Sequence, residues 1–254
     1  MALLQVDYLS ETLFRQVTLS VILPFDTIDY DKGVYTPDKA PYKTLYLLHG
    51  LLGDHTDWVS RTCIRRWAEE KNLAVVMPSG DNSFYFKGRN PDTDYGKFIG
   101  EELPTVTRKM FPLSDKREDT FIGGLSMGGY GAIRNGIVYS EKFSHVIGLS
   151  AAVHFFEYEE EDIYAVGLLE DKEKAKNTDI NPKVAYDELI ARKGTAPRFY
   201  MACGRQDDLM PANISLRDYL LKKGADITWY EEDAAHEWDF WDSQIKKALE
   251  WLPL

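Results

Sequence analysis

Short continuous apolar runs alternate in this chain with longer segments of helical spacing, and this alternation limits the folds open to it. Such runs suit strands that are covered on both faces, as in a parallel sheet. They occupy residues 44–48, 74–77, 120–123, 146–149, 198–202 and 227–230, after a β-rich run at 15–23 that we expect to be antiparallel. Helical spacing falls near residues 57–71, 95–111, 128–140, 213–223 and 239–252. The pattern predicts an α/β domain with a doubly wound, mostly parallel sheet.

The domain organisation is simple, because no internal repeat or low-complexity linker divides the 254 residues. We therefore predict a single domain spanning residues 1–254, a length that buries a substantial core on its own. One segment, residues 155–195, is longer than a single crossover helix requires and contains an acidic run at 157–162. We predict that this segment is a small helical insertion that caps the site.

Charge and composition narrow the classes of partner. The net charge is −11 and the chain has no basic stretch, which argues against nucleic acid and against anionic membrane surfaces. Neither a basic signal-peptide start nor a run of roughly 18 to 20 apolar residues occurs, so we expect a cytoplasmic protein. Cys63 and Cys203 lie far apart and have no metal-type spacing, which favours neither a disulfide framework nor a metal site.

The strongest candidate for a nucleophile is the serine of Gly124-Leu125-Ser126-Met127-Gly128, which lies between a predicted strand and a predicted helix. A serine on such a tight strand-to-helix turn has strained backbone angles and little room around it. Glycines two residues before and after it remove side chains that would collide with the neighbouring strand and helix, and Gly129 and Gly131 extend this close approach. A chance glycine-rich turn is the alternative, but the flanking strand and helix favour the nucleophile.

A serine hydroxyl needs a neighbouring base to take its proton at neutral pH. His236 follows the last predicted strand and precedes the C-terminal helix, at the edge of the sheet where the Ser126 turn opens. His49 also follows a predicted strand, and a role in holding its loop is favoured for it, with the catalytic base as the alternative. The remaining histidines are expected to be surface or loop residues: His55, His145 and His154.

Two adjacent carboxylates compete for the role of orienting the imidazole, because Asp207 and Asp208 both follow another predicted strand. Simple turn chemistry explains the pair equally well. A glycine three residues earlier and a proline four residues later are the usual form of this turn in α/β-hydrolases, which favours Asp207 and leaves Asp208 as a turn or helix-capping residue. The order serine, acid, histidine is likewise that of α/β-hydrolases, and differs from chymotrypsin and subtilisin.

Acyl transfer also needs groups that stabilise the negative charge on the reacting carbonyl oxygen. Losing one backbone N–H donor typically costs about 3 to 4 kcal/mol of barrier. The segment Leu48-His49-Gly50-Leu51 follows the first long apolar strand, and glycine at position 50 lets the chain turn so that the Leu51 N–H faces the pocket. The N–H of Met127, directly after the serine, is the predicted second donor.

These segments, with the tail His236-Glu237-Trp238-Asp239-Phe240-Trp241, together resemble the esterase D group of the α/β-hydrolases. The group includes bacterial tributyrin esterases, S-formylglutathione hydrolases, and feruloyl or acetyl-xylan esterases, and the likeness is nearest to the tributyrin-esterase type. It runs from about residue 15 to the C-terminus. The resemblance implies an α/β-hydrolase fold, hydrolysis of short-chain carboxylesters, and no metal or cofactor. It assigns Ser126, Asp207 and His236 as the triad, and Leu51 and Met127 as oxyanion donors.

The substrate depends on pocket residues that the motifs do not specify. Aromatic candidates for the pocket walls, each equally compatible with the core, are Trp58, Phe84, Tyr85, Trp238 and Trp241. No basic cluster is built to hold the glutathione carboxylates, although four residues could contribute singly: Arg61, Arg65, Lys87 and Arg89. A thioesterase therefore ranks second. A feruloyl or acetyl-xylan type of esterase, acyl transfer to an alcohol or sugar, and a non-catalytic binding module are further alternatives. Family analogy also predicts a homo-oligomer.

Overall fold

The computed structural model describes residues 1–25, 28–29, 33–35, 40–155, 169 and 171–254. Its strands are β1 (Ala2–Ser10), β2 (Arg15–Leu23), β3 (Ile28–Asp29), β4 (Val34–Tyr35), β5 (Thr44–Leu48), β6 (Ala74–Pro78), β7 (Thr120–Leu125), β8 (His145–Leu149), β9 (Arg198–Gly204) and β10 (Ile227–Glu232). Eight of them form one sheet in the order β1-β2-β6-β5-β7-β8-β9-β10, and β3 pairs only with β4.

The sheet is parallel except at one side. Strand β1 pairs antiparallel with β2, and β2 pairs antiparallel with β6, whereas β6, β5, β7, β8, β9 and β10 all run parallel. The carboxyl ends of these six strands therefore meet at one edge. This arrangement confirms the predicted mostly parallel sheet, and the antiparallel strand predicted at 15–23 has the same bounds as β2.

Helices cover both faces of the sheet. They are α1 (Asp57–Arg61), α2 (Ile64–Glu70), α3 (Tyr95–Lys97), α4 (Leu103–Met110), α5 (Met127–Val138), α6 (Lys172–Ala175), α7 (Pro182–Ala191), α8 (Met210–Lys222) and α9 (Trp238–Trp251). One hydrophobic cluster joins α4, α5, α7 and α8 to one face, and a second joins α1, α2 and α9 to the other. The sheet is thus doubly wound, as predicted.

The helices and strands differ from the sequence prediction in three places. The helix predicted at 57–71 is two helices, because Thr62 adopts an extended conformation between α1 and α2. The helix predicted at 95–111 contains a π-helical turn at Phe98–Glu102. Strand β1 was not predicted, although its alternating burial has a signal in the sequence: Leu4, Val6 and Tyr8 pack against the core while Gln5 and Asp7 are exposed.

The segment predicted as a cap, residues 155–195, is described only in part, since 156–168 and 170 lie outside the described residues. The longer of its two described helices is α7, which packs beside α5. The Tyr130 hydroxyl donates to the Ile180 carbonyl at 2.6 Å, and Arg134 forms an ion pair with Asp179. Helix α7 is therefore part of the helical layer on the sheet.

His145, expected at the surface or in a loop, begins β8 and is only 7% exposed. Its ring lies between Phe121 and Trp251, with centroid distances of 5.4 and 5.0 Å, and its Nδ1 is 2.9 Å from Ser144 Oγ. Burial, reinforced by two nearby arginines, lowers the pKa of His145 to about 4. The ring is consequently neutral in the folded protein.

We expect the free energy of unfolding of His145→Phe to fall less than that of the wild type as the pH is lowered. A histidine whose pKa is lowered by folding becomes charged in the unfolded chain below about pH 6.5 while it stays neutral in the native state. Stability is therefore lost as the pH falls from about 6.5 towards 4. The measurement is the free energy of unfolding in urea at about pH 7 and at pH 5. The drop between the two pH values should be smaller in the variant than in the wild type by on the order of 1 to 2 kcal/mol. An unchanged pH dependence would contradict this.

Candidate active site

Four loops that follow parallel strands meet at the carboxyl edge of the sheet. The loops after β5, β7, β9 and β10 carry the four residues predicted from the sequence, Leu51, Ser126, Asp207 and His236. This edge is where ligands bind in open α/β sheets. The topology therefore collects on one side of the molecule residues that are up to 185 positions apart in the sequence, from 51 to 236.

Ser126 occupies the turn between β7 and α5 with φ of 53° and ψ of −118°, which non-glycine residues rarely adopt. Three backbone hydrogen bonds hold it there. Its N–H donates to the Leu149 carbonyl at 2.8 Å, and its carbonyl accepts from the N–H groups of Tyr130 and Ala152, each at 3.0 Å. The strained conformation persists because β8 and α5 fix the residue from both sides.

The glycines at positions 124 and 128 let strand β5 approach this turn closely. A Cβ atom on Gly128 would lie 2.5 Å from the carbonyl oxygens of both Leu48 and His49. A Cβ atom on Gly124 would lie 2.4 Å from the Gly128 carbonyl oxygen. These are backbone atoms, which cannot move aside as a flexible side chain can, so the turn excludes any larger residue at either position.

The structure brings Ser126, His236 and Asp207 into one hydrogen-bonded chain. His236 Nε2 lies 3.0 Å from Ser126 Oγ, and His236 Nδ1 lies 2.8 Å from Asp207 Oδ2. Because a carboxylate only accepts hydrogen bonds, Nδ1 carries the imidazole proton and Nε2 is left to accept the serine hydroxyl proton. The His236 side chain is 38% exposed and that of Asp207 only 1%, so the chain runs from the interior to the solvent edge.

The Asp207 carboxylate is kept ionised by its hydrogen bonds. Burial alone raises its pKa, but donors from His236, the Leu209 N–H and Ser150 outweigh burial and bring the pKa below the ordinary value. The Leu209 N–H donates to Oδ1 at 2.9 Å. The neighbouring Asp208 is exposed and contributes to the wall of a separate cavity of about 310 Å³. Of the two competing carboxylates, Asp207 is the one that contacts His236.

The loop that carries His236 is joined directly to the turn that carries Asp207. The N–H of Gln206 donates to the Ala234 carbonyl at 3.0 Å, and a Cβ atom on Gly204 would lie 2.2 Å from that same carbonyl oxygen. The two loops therefore pack backbone to backbone, which sets the distance between the acid and the imidazole.

The loop after β5 and the turn after β7 each carry one predicted oxyanion donor, Leu51 and Met127. A Cβ atom on Gly50 would lie 3.6 Å from Ser126 Cβ, so the loop after β5 is in contact with the Ser126 turn. Leu52, with φ of 64°, donates its N–H to Asn82 Oδ1 at 2.8 Å, which holds the far side of the loop. Within the part of the chain that the structure describes, the N–H groups of Leu51 and Met127 have no acceptor. Both are therefore available to a ligand.

His49 is a buried, neutral residue whose two ring nitrogens are both occupied. Nδ1 donates to the Gly50 carbonyl at 2.7 Å, and Nε2 accepts from the Gly80 N–H at 2.8 Å. Burial lowers the pKa of His49, in agreement with a ring that carries one proton. The ring thus links the loop after β5 to the loop after β6, and neither nitrogen is free to accept a proton from Ser126.

Three of the five aromatic residues considered as pocket walls lie in the core instead. Trp58, Phe84 and Tyr85 are 1%, 3% and 0% exposed. The Trp58 indole donates to the Leu48 carbonyl at 3.0 Å and the Tyr85 hydroxyl to the His49 carbonyl at 3.0 Å. Phe84 packs against the rings of Tyr130 and Phe155. Of the two positions left open for these three residues, the structure therefore shows the core.

The other two aromatic candidates lie on α9 next to the imidazole. The Trp241 ring contacts the His236 ring edge to face at 4.8 Å, and Trp238, which is partly exposed, contacts Trp241 at 5.2 Å. The Arg61 guanidinium lies 5.4 Å from the Trp238 ring centroid. The Trp238 ring thus separates this exposed cation from Trp241, which contacts His236.

The remaining basic residues considered for a glutathione site lie elsewhere. Arg65 donates to the Met1 carbonyl at 2.6 Å. Lys87 and Arg89 line a second cavity of about 510 Å³, together with Lys174. The structure therefore does not bring these residues and Arg61 into one cluster.

Two polar contacts of the site were not predicted from the sequence. Asn82 accepts a hydrogen bond from the loop that carries Leu51, and Ser150 accepts one from the Trp241 indole, whose ring contacts His236. Their only signal in the sequence is position, since each follows the carboxyl end of a predicted strand, at 74–77 and 146–149. Motif patterns do not mark them because neither belongs to a short segment with a fixed spacing.

The described residues contain no group of three or more histidine, cysteine, aspartate and glutamate side chains placed to hold a metal ion. Cys63 is exposed and Cys203 is buried, and both are free thiols. Of the helices that the structure describes, none has the length and apolarity that a bilayer span requires.

Comparison with known proteins agrees with this geometry. Residues 10–252 match a family model described as "Putative esterase". An acetyl esterase of Caldicellulosiruptor saccharolyticus is 38% identical over 271 aligned positions, covering 99% of this chain and 98% of that protein. The resemblance to the esterase D group is thereby confirmed.

Two solved structures from Staphylococcus aureus superpose over nearly the whole chain. The S-formylglutathione hydrolase FrmB is 31% identical with a TM-score of 0.86, and the fluorophosphonate-binding serine hydrolase FphF is 33% identical with a TM-score of 0.85. Each comparison covers 99% of this chain and 98% of the other. The protein has the α/β-hydrolase fold, belongs to this esterase family, and is a carboxylic ester hydrolase.

Proposed function

We propose that this protein is a serine carboxylesterase that hydrolyses short-chain acyl esters through a covalent acyl-enzyme. The observation that carries the proposal is the 3.0 Å separation of Ser126 Oγ and His236 Nε2, with Asp207 on the opposite ring nitrogen. A hydroxyl in hydrogen-bond contact with an oriented imidazole is the arrangement that activates a serine for attack on a carbonyl carbon.

Acylation begins when His236 Nε2 takes the hydroxyl proton of Ser126 and Oγ bonds to the ester carbonyl carbon. The carbonyl oxygen becomes negatively charged and accepts from the N–H groups of Leu51 and Met127. The imidazolium, stabilised by the Asp207 carboxylate, then gives its proton to the leaving alkoxide as the ester C–O bond breaks. The alcohol departs and the acyl group stays on Ser126.

Deacylation repeats these steps with water as the nucleophile. His236 takes a proton from the water as its oxygen bonds to the acyl carbon, and the same two N–H groups hold the new oxyanion. His236 then returns a proton to Ser126 Oγ as the acyl bond breaks, which releases the carboxylic acid. The 38% exposure of the imidazole supports this step because water has access to it.

The preference for short acyl groups is supported by similarity to a known protein. The relative with 38% identity over almost the whole chain is an acetyl esterase.

A second candidate function is hydrolysis of S-formylglutathione, because FrmB matches this chain with 31% identity and a TM-score of 0.86. The same nucleophile and oxyanion donors serve a thioester, so the two functions differ in how the leaving group is bound. The basic residues considered for the glutathione carboxylates are not clustered, since Arg61 lies over Trp238 while Lys87 and Arg89 line another cavity. This dispersal ranks the thioesterase second.

We expect Ser126→Ala to abolish covalent labelling by a fluorophosphonate probe and to lower the kcat for p-nitrophenyl butyrate by at least about 10³-fold, because the attacking hydroxyl is lost. Intact-mass spectrometry after labelling measures the adduct directly. The matched control is Ser60→Ala, which removes an exposed serine on α1 and should label like the wild type. Equal labelling of Ser126→Ala and the wild type would reject this nucleophile.

We expect kcat/KM to fall steeply once the acyl chain exceeds butyryl. The measurement is a kinetic panel of acetyl, butyryl and octanoyl p-nitrophenyl esters, with feruloyl methyl ester and S-formylglutathione beside them. A short acyl site should favour acetyl or butyryl over octanoyl by about 10-fold or more, since each misplaced methylene costs on the order of 1 kcal/mol. Octanoyl hydrolysis as fast as butyryl would contradict the short-chain proposal, and a dominant S-formylglutathione activity would establish the second candidate.

A further inference from the structure

His236 needs support beyond its bond to Asp207. Its side chain is 38% exposed and lies on the loop between β10 and α9, where side chains ordinarily sample several rotamers. The 2.8 Å bond from Nδ1 to Asp207 fixes one end of the ring but leaves rotation about that bond. Further contacts must therefore set the direction in which Nε2 points.

Trp241 supplies such a contact from inside the molecule. It is 5% exposed, and its ring meets the His236 ring edge to face, with an interplanar angle of 84° and a centroid distance of 4.8 Å. The same indole donates its Nε1–H to Ser150 Oγ at 3.1 Å, in a buried contact. Trp241 thus contacts the imidazole through its ring and Ser150 through its nitrogen.

Ser150 fixes the position of the indole. It is fully buried, with φ of 45°, and its backbone N–H donates to the Ala202 carbonyl at 2.7 Å. Because Oγ accepts the indole proton of Trp241, the indole is tied to a residue whose backbone is held by β9. The Ser150 hydroxyl is also among the groups that lower the pKa of Asp207.

The Cys203 thiol is buried near the end of β9, the strand that precedes Asp207. Burial, together with the charge of Asp207, raises the pKa of Cys203 to about 12. The thiol is therefore neutral and does not compete with His236 for the charge of the carboxylate.

We propose that Ser150 and Trp241 are positioning residues that hold the Asp207–His236 pair in its reactive orientation. The contacts form a chain, in which Ser150 accepts the indole N–H of Trp241, Trp241 packs on His236, and His236 bonds to Asp207. This inference rests on the proposed function, because it concerns the same base. Neither residue contacts the reacting atoms, so both act through the imidazole and its partner.

The test removes one link at a time and measures hydrolysis of p-nitrophenyl butyrate. Trp241→Phe keeps an aromatic ring against His236 but deletes the Nε1 donor, and Ser150→Ala deletes the hydroxyl. We expect each to lower kcat by about 5- to 50-fold, below the roughly 100-fold that a 1 Å misplacement costs, with KM within about twofold of wild type. The double variant should be no slower than the slower single variant, because both changes break the same link.

Two controls separate positioning from simple loss of structure. Trp251→Phe makes the same substitution on the same helix, at a partly buried tryptophan that packs against His145 and Tyr200, and should leave kcat unchanged. Ser150→Gly also lacks the hydroxyl but tolerates φ of 45° better than alanine does. We expect Ser150→Gly to lose as much activity as Ser150→Ala while unfolding at the same or a higher urea concentration.

Proton NMR reports directly on the hydrogen bond between His236 and Asp207. The proton between His236 Nδ1 and Asp207 should give a far-downfield proton resonance in the wild type and in Trp251→Phe. We expect it to broaden or move upfield in Trp241→Phe and Ser150→Ala. Wild-type kcat with an unmoved resonance in these variants, or recovery of activity in Ser150→Gly, would overturn the inference. Failure of the wild type itself to hydrolyse esters would instead overturn the proposed function.

Discussion

The hydrogen bond between Ser126 Oγ and His236 Nε2 is the contact on which the proposed chemistry depends, and most of the carboxyl edge serves to create it. The two residues are 110 positions apart, and each belongs to a loop whose backbone is fixed by a neighbouring strand. The serine is held by β8 and α5 in a strained turn, and the imidazole by the turn after β9. A displacement of either support would separate the two atoms by more than a hydrogen bond can span.

Close approach of backbone to backbone is what makes this placement firm. The strand β5 passes so near the nucleophile turn that positions 124 and 128 admit only glycine, and the Asp207 turn meets the His236 loop over Gly204 in the same way. Loops whose backbones are fixed in this way lose little conformational freedom when substrate binds, so the site is organised before substrate arrives. His49 and Asn82 extend the same rigidity to the loop that carries the Leu51 N–H.

Much of this could be predicted from the sequence, because parallel strands and their loops have strong local patterns. The tight strand-to-helix turn around Ser126 follows from the spacing of the glycines, and the loop position of His236 follows from the order of the strands. Asp207 was favoured over Asp208 only by the likeness of its turn to that of α/β-hydrolases. In the structure Asp207 lies against the imidazole.

Burial and tertiary partners could not be predicted, since composition does not reveal which face of a loop an aromatic residue occupies. Trp58, Phe84 and Tyr85 were therefore equally compatible with a pocket wall and with the core, and the structure places them in the core. His145 was expected at the surface or in a loop because no local pattern marks its packing between Phe121 and Trp251. Strand β1 differs, since its alternating residues do carry a signal that the prediction did not use. The link from Trp241 to Ser150 joins residues 91 positions apart and has no local signature.

The most direct measurement of the central claim is the rate at which a fluorophosphonate modifies Ser126 when the base is removed. In His236→Asn the hydroxyl keeps its position on the strained turn but loses the group that takes its proton. The account predicts that the second-order labelling rate, followed by intact-mass spectrometry on folded protein at neutral pH, falls by about 10³-fold or more. A variant that labels at the wild-type rate would contradict the claim that His236 activates Ser126.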